Sequence, residues 1–131
     1  MVLIETQNFY PQSGLGLRIG IFTPPRYNGD DQPATSARLY QPYGLFVHND
    51  QVYITDYYNN RVRKILPNGI IKTIAGTGKY GQYNGDGTLA TGSHCYHPTG
   101  IFVDDSGIYI CCSDARIRKI DCNGIFSTIV R

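Results

Sequence analysis

The sequence predicts an all-β fold built from tandem four-stranded antiparallel units. Three observations predict it: an internal repeat, strand-length apolar runs closed by turn dipeptides, and a composition rich in turn formers and tyrosine. The 131 residues include 15 glycines, 7 prolines and 11 tyrosines. Glycine and proline punctuate turns, and tyrosine with valine, isoleucine and threonine favours strands. With 41% apolar and only 17% charged residues, the chain reads as globular and not disordered.

The repeat is direct. Tyr27-Asn28-Gly29-Asp30 returns as Tyr83-Asn84-Gly85-Asp86, an offset of 56 (83 minus 27). Ala34-Thr35 returns as Ala90-Thr91. Pro42, Gly44, Phe46 and Val47 return as Pro98, Gly100, Phe102 and Val103, and Tyr53-Ile54 as Tyr109-Ile110. Past residues 113–115 the offset is 55 (116 minus 61), where Arg61, Arg63, Lys64 and Ile65 match Arg116, Arg118, Lys119 and Ile120. Asn68-Gly69-Ile70 then matches Asn123-Gly124-Ile125. A deletion confined to one short stretch, with register kept on both sides, marks a surface loop.

Within the first unit, residues 45–48 form the first expected strand and Asn49-Asp50 a tight turn. Residues 52–55 form the second, followed by a loop at 56–60. Residues 61–66 form the third. Asn68-Gly69, where both positions tolerate positive φ, is a strong hairpin signal into the fourth strand at 70–75. The second unit repeats this at 101–104, 108–111, 116–121 and 125–130. No 3.6-residue apolar period is sustained, so no helix is expected beyond a turn near 34–39.

Tandem four-stranded antiparallel units describe propeller blades. The run Pro42-Tyr43-Gly44-Leu45-Phe46-Val47, then Val52-Tyr53-Ile54-Thr55-Asp56, Asn60-Arg61-Val62-Arg63-Lys64-Ile65 and Asn68-Gly69, resembles the NHL repeat signature in order. The second unit departs from it at Cys111-Cys112-Ser113-Asp114, where the aspartate and asparagine are displaced. The organisation expected is an arm at 1–26, a first NHL-like repeat at 27–82 and a second at 83–131. Leu17-Arg18-Ile19-Gly20 aligns with Thr73-Ile74-Ala75-Gly76, so the arm is expected to supply an outer strand of a preceding blade. Two blades alone leave an apolar face at each end larger than soluble monomers tolerate. The expected partial propeller therefore closes by oligomerisation or within a longer parent chain. The resemblance implies six blades in a closed ring.

Strand order places loops 56–60 and 113–115 and connections 20–41 and 76–97 on one side, opposite the tight hairpins. A protein partner is expected on this loop-rich face. Tyr43, Tyr57, Tyr58, Asn59 and Asn60 are its candidate contacts, tyrosine being favoured at interfaces. Arg61, Arg63, Arg116 and Arg118 recur at equivalent positions, which favours a structural role such as pairing with Asp56 or with a carbonyl between blades. The same basic runs carry an alternative, single-stranded RNA held by cations and stacking aromatics, as the resemblance to tripartite-motif ubiquitin ligases and their relatives implies. A net charge of +2 gives no bulk support for it.

No catalytic residue, metal site or cofactor is assigned. There is no G-x-S-x-G, phosphate loop or H-E-x-x-H. Asn28-Gly29-Asp30-Asp31 and Asn84-Gly85-Asp86-Gly87 hold too few carboxylates for calcium and read as turns. His94 and His97 form an H-x-x-H where the first unit has Arg38 and Gln41, with His48 on the opposite side. The resemblance to the NHL-like amidating lyase, whose zinc-bound histidines come from several blades, leaves a metal-dependent lyase or hydrolase as a third reading. Cys95, Cys111, Cys112 and Cys122 read as reduced, partly buried thiols, since adjacent Cys111 and Cys112 point to opposite faces of a strand. The N-terminus lacks a basic region and a long apolar core, and no apolar run approaches a membrane span. The expectation is a non-membrane scaffold, weakly placed in the cytoplasm, that binds protein and self-associates or joins the remaining blades of a parent chain.

Overall fold

The computed structural model describes residues 26–81 and 83–131; the arm at 1–26, with its expected outer strand, lies almost entirely outside them. The described chain is all-β. In the first sheet, β1 (Gln32–Pro33), β2 (Pro42–His48), β3 (Gln51–Asp56), β4 (Arg61–Ile65) and β5 (Ile70–Ala75) stand in the order β1-β5-β4-β3-β2. In the second, β6 (Thr88–Leu89), β7 (Ile101–Asp104), β8 (Gly107–Cys112), β9 (Arg116–Ile120) and β10 (Ile125–Val130) repeat that order as β6-β10-β9-β8-β7. Every pairing is antiparallel. Helix among the described residues is confined to single 3-10 turns at Ala34–Ser36, Tyr57–Asn59 and Ala90–Gly92.

Each blade-like sheet thus has five strands, one more than the repeat pattern predicts. The extra strand is two residues long, too short to leave a periodic signal. Pro33 sits within β1 on the sheet edge, a position where a missing N–H removes no ladder bond. The Asn49-Asp50 turn has positive φ at both residues, 50° and 60°, as a type I′ hairpin requires. The Asn68-Gly69 turn differs from expectation: only Gly69 is left-handed (φ 87°). Pro67 presets the first corner of a type I turn, Gly69 N donates to Leu66 O, and Asn68 Oδ1 accepts from Ile70 N.

The core runs in two layers. Ala34, Ala37 and Leu39 from the connection before β2 cover Ile54, Ile65 and Ile71 on one side of the first sheet. The second layer lies between the sheets, where Val62 and Ala75 meet Ala90, Cys95, Ile110, Cys112, Ile120 and Phe126. The central strands are therefore buried on both faces. This is why Val52-Tyr53-Ile54-Thr55 reads as a continuous run and not as a strict alternation.

Candidate interaction face

The repeated Tyr-Asn-Gly-Asp and Arg-x-Arg elements lock onto each other inside each sheet. Arg63, fully buried on β4, donates from Nη2 to Gly29 O (2.9 Å) and Asp30 Oδ1 (3.0 Å), and from Nη1 to Asp56 Oδ2 (3.4 Å). Thr73 Oγ1 also donates to Asp30 Oδ1. Tyr27 lies under two guanidiniums, with Arg61 Cζ 3.6 Å and Arg63 Cζ 4.9 Å from its ring centre. In the second sheet Arg118 donates to Gly85 O, Asp86 Oδ1 and His94 O, while Tyr83 lies under Arg116 and Arg118. Arg63 and Arg118 are therefore internal fasteners that hold the connection to its blade, and the partly exposed Arg61 and Arg116 cover the tyrosine rings beside them. In the Asn-Gly-Asp segments the Asn28 and Asn84 Oδ1 atoms, the Gly29 and Gly85 carbonyls and the Oδ1 atoms of Asp30 and Asp86 all accept hydrogen bonds.

Asp56 is fully buried and accepts from Tyr40 N (2.7 Å) and Asn59 Nδ2 (2.8 Å) as well as from Arg63. Cys112 stands in its place in the second sheet (112 minus 56), packed with buried Cys95. The displaced Asp114 pairs instead with Arg116 Nη1 at 3.1 Å, and Arg118 turns to the His94 carbonyl. Contact with Cys112 and burial raise the Cys95 thiol well above its ordinary range. It packs as a small hydrophobe among Ala90, Ile110 and Cys112. Cys111 is exposed and Cys112 buried, as adjacent residues of one strand must be.

Tyr43 of β2, loop 56–60 and the connection before β7 together carry a continuous aromatic ladder. Tyr43 stacks on Tyr57 (centroids 5.6 Å apart), Tyr57 on His97 (4.3 Å) and His97 on Tyr96 (3.9 Å), and Tyr80 meets Tyr96 edge-on (4.8 Å). Tyr58 abuts Tyr57, His97 and Tyr40. The ladder's two ends are open, Tyr43 being 69% and Tyr80 76% exposed. The Tyr96 hydroxyl donates to the Tyr80 hydroxyl (3.2 Å); that bond, with burial, pushes it up to about 12. Beside Tyr80 and Tyr96 lies an open cleft of about 580 Å³, with Tyr83, Asp114 and Arg116 on its walls. An equivalent hollow of about 490 Å³ in the first sheet is lined by Tyr27, Tyr40, Tyr58 and Arg61, with Gly78 of the following connection beside them.

Among the sequence-derived contact candidates, Tyr43, Tyr57 and Tyr58 come together in this ladder. Asn59 and Asn60 do not present their side chains, because both are buried. Asn59 bonds Asp56 and the Tyr27 amide, and Asn60, left-handed at φ 52°, accepts from His97 N. Tyr80, Tyr96 and His97 are ladder members that the sequence argument did not assign as contacts. The recurrence of Tyr40 as Tyr96 was the available signal. His94 Nδ1 meets Thr77 Oγ1 (2.9 Å) while His97 is sandwiched by rings, so the H-x-x-H pair is used separately. Among the described residues, no three His, Cys, Asp or Glu side chains gather as metal donors.

Burial between the rings holds the His97 imidazole below its ordinary value. Below about pH 6.5 the unfolded chain therefore takes up a proton that the folded chain refuses. Folding stability should fall as pH drops from 7.5 through 6.5 toward the folded value. Urea midpoints across pH 5–8 check this, and His97→Phe should flatten the profile. An unchanged slope in that variant would assign the acid sensitivity elsewhere.

Two antiparallel sheets of equal strand order, packed face to face with their loops to one side, define propeller-type blades. No family model matches the chain. It is 30% identical over 102 residues to Protein SUPPRESSOR OF QUENCHING 1, chloroplastic, of Arabidopsis thaliana, a match covering 75% of the chain and 9% of that protein. It is 34% identical over 91 residues to human Teneurin-4, covering 60% of the chain and 3% of that protein. The chain thus spans less than a tenth of these relatives' length. Among solved structures it superposes, at TM-score 0.55 and 24% identity, on an auxiliary nutrient binding protein from Bacteroides thetaiotaomicron, covering 75% of the chain and 25% of that structure. A structural genomics protein of unknown function from the same organism gives 0.55 at 22% identity, covering 79% and 25%. At such identities the similarity is one of fold, and these structures resemble propeller-type folds.

Proposed function

We propose that this chain is part of an NHL-type propeller and acts as a non-catalytic interaction module, holding a protein partner on its loop-rich face. The observation that carries this reading is the aromatic ladder from Tyr43 to Tyr80, which bridges both blades and is exposed at both ends. Rigid aromatic surface next to polar groups is what interface hot spots use, since ordering it costs little conformational entropy. The arginines that an RNA reading draws upon favour the protein reading by their position. Arg63 and Arg118 are buried, and Arg61 and Arg116 lie over tyrosine rings.

A photo-crosslinking amino acid placed at position 80, irradiated in an extract of the protein's own cells, tests this. The expected result is a protein adduct that resists ribonuclease, survives about 0.5 M salt, where long-range charge attraction is screened, and weakens with Tyr43→Ala. The same crosslinker at position 123, in the hairpin on the opposite side, should give none. Ribonuclease-sensitive adducts, equal labelling from both positions, or no adduct at all would overturn the proposal.

A further inference from the structure

The two units are fastened differently at one buried position, and the difference is a matched pair of cysteines. In the first unit Leu39 and Asp56 are both buried, at 1% and 0% exposure. Asp56 Oδ1 accepts from Tyr40 N (2.7 Å), so its carboxylate ties the connection before β2 to the end of β3. The repeat offset carries these two positions to Cys95 and Cys112 (39 plus 56, 56 plus 56). Both positions change together, and both change to cysteine. The carboxylate tie is thereby lost, and a thiol stands on each side of the same junction.

Three observations bring these thiols together. Cys95 and Cys112 share one buried cluster, at 1% and 5% exposure. Their thiols contact each other directly. The residues that follow them are joined through the backbone, Ser113 N donating to Tyr96 O at 2.9 Å. A disulfide requires Cβ vectors that converge, and thiols in contact meet that requirement. Cys111 and Cys122 are exposed, and Cys111, adjacent to Cys112, points to the opposite face of β8.

We propose that Cys95 and Cys112 form a disulfide that takes the place of the Asp56 tie and locks the connection before β7 onto β8. Both are free thiols in the structure, so closing the bond needs an oxidant, and a small-molecule disulfide of the glutathione type supplies it. One cysteine thiolate attacks that disulfide, forming a mixed disulfide and releasing one small thiol. The second cysteine attacks the mixed disulfide at the protein sulfur and releases the other small thiol. Two electrons and two protons thus pass from the protein to the oxidant. Burial and mutual contact raise the Cys95 thiol well above its ordinary range, so the exchange belongs to the chain before the connection has closed. Once enclosed, the bond is sheltered from attacking thiols. The expectation of four reduced thiols changes for this pair alone. The partner proposed above plays no part in this inference.

The test equilibrates the purified chain with reduced and oxidised glutathione, quenches with acid and alkylates free thiols in denaturant. Cleavage at Asp104 and Asp105 puts Cys95 and Cys112 on different peptides for mass spectrometry. In a Cys122→Ala background, Cys111→Ala should keep Cys95 linked, two hydrogens lighter than the reduced pair of peptides, and Cys112→Ala should leave Cys95 alkylated. In concentrated urea the two variants should link Cys95 equally, because only the fold distinguishes the neighbouring sulfurs. Dithiothreitol should lower the urea midpoint of the Cys111→Ala protein and leave that of the Cys112→Ala protein unmoved. Cys112→Val repeats the second arm if Cys112→Ala does not fold, as judged by far-ultraviolet circular dichroism. Alkylation of both Cys95 and Cys112 at every glutathione ratio overturns the proposal. So does equal linking of the two variants without urea, or a Cys111→Ala midpoint indifferent to the reductant.

Discussion

Replacing Arg63 with methionine should cost about 3–5 kcal/mol of folding stability, the range for removing one partner of a buried ion pair. Both Arg63 and Asp56 are without side-chain exposure, so the carboxylate left behind has no water to replace the guanidinium. Burial already pushes the Asp56 carboxyl above its ordinary range, against the pull of the Tyr40 amide, Asn59 and Arg63. Without Arg63 the folded value rises further above the unfolded one, and the folded state then binds the extra proton. The variant's deficit should therefore shrink as pH falls from 7 toward 4. Asp56→Asn in the same background should restore part of the loss, by removing the orphaned charge. Arg118→Met should cost less, because Arg118 leans on two carbonyls and one part-exposed carboxylate. Urea unfolding at fixed protein concentration reads all four proteins. A loss below about 1 kcal/mol for Arg63→Met, the size of a surface pair, would sink the fastener interpretation.

Gly76→Ala should cost roughly 2–5 kcal/mol, from strained backbone plus overpacking. Gly76 has φ +91°, and a Cβ there would lie 2.2 Å from Asn60 O and 2.9 Å from Arg61 Cα. Both neighbours are backbone, so no rotamer change can make room. The residue sits where the first sheet ends and the connection to the second begins, and its N–H donates to Ala90 O of that second unit. Gly85→Ala is the matched control, with φ +111° and nothing within 4 Å of the added methyl. It should lose about 1 kcal/mol, from the left-handed conformation alone. Equal losses in the two variants would show that the close approach at Gly76 relaxes without cost.

Strand positions were legible because turn dipeptides and apolar runs are local signals, and the repeat let each strand be read twice. The start of β2 was misplaced. Its register shifts between Pro42 and Leu45, and a bulge has no periodic trace. β1 and β6 were missed because a two-residue edge strand forms through pairing with β5 and β10, not through its own propensity. Tyr43, Tyr57 and Tyr58 are grouped by residue type and loop position, and their rings adjoin in the structure. Asn59 and Asn60 were set beside them for the same reason, yet they face inward, since the left-handed turn at Asn60 turns its amide to the His97 backbone.

The sequence by itself determined the all-β class, the antiparallel strand order within each unit and the side on which the long loops gather. Those follow from periodicity and turn chemistry within a few residues. Only the tertiary structure decided that Arg63 and Arg118 are enclosed and that His97 joins tyrosines from two blades into one surface. Each of these depends on which neighbour fills the space beside a side chain. Contacts between residues tens of positions apart leave no mark on the local pattern.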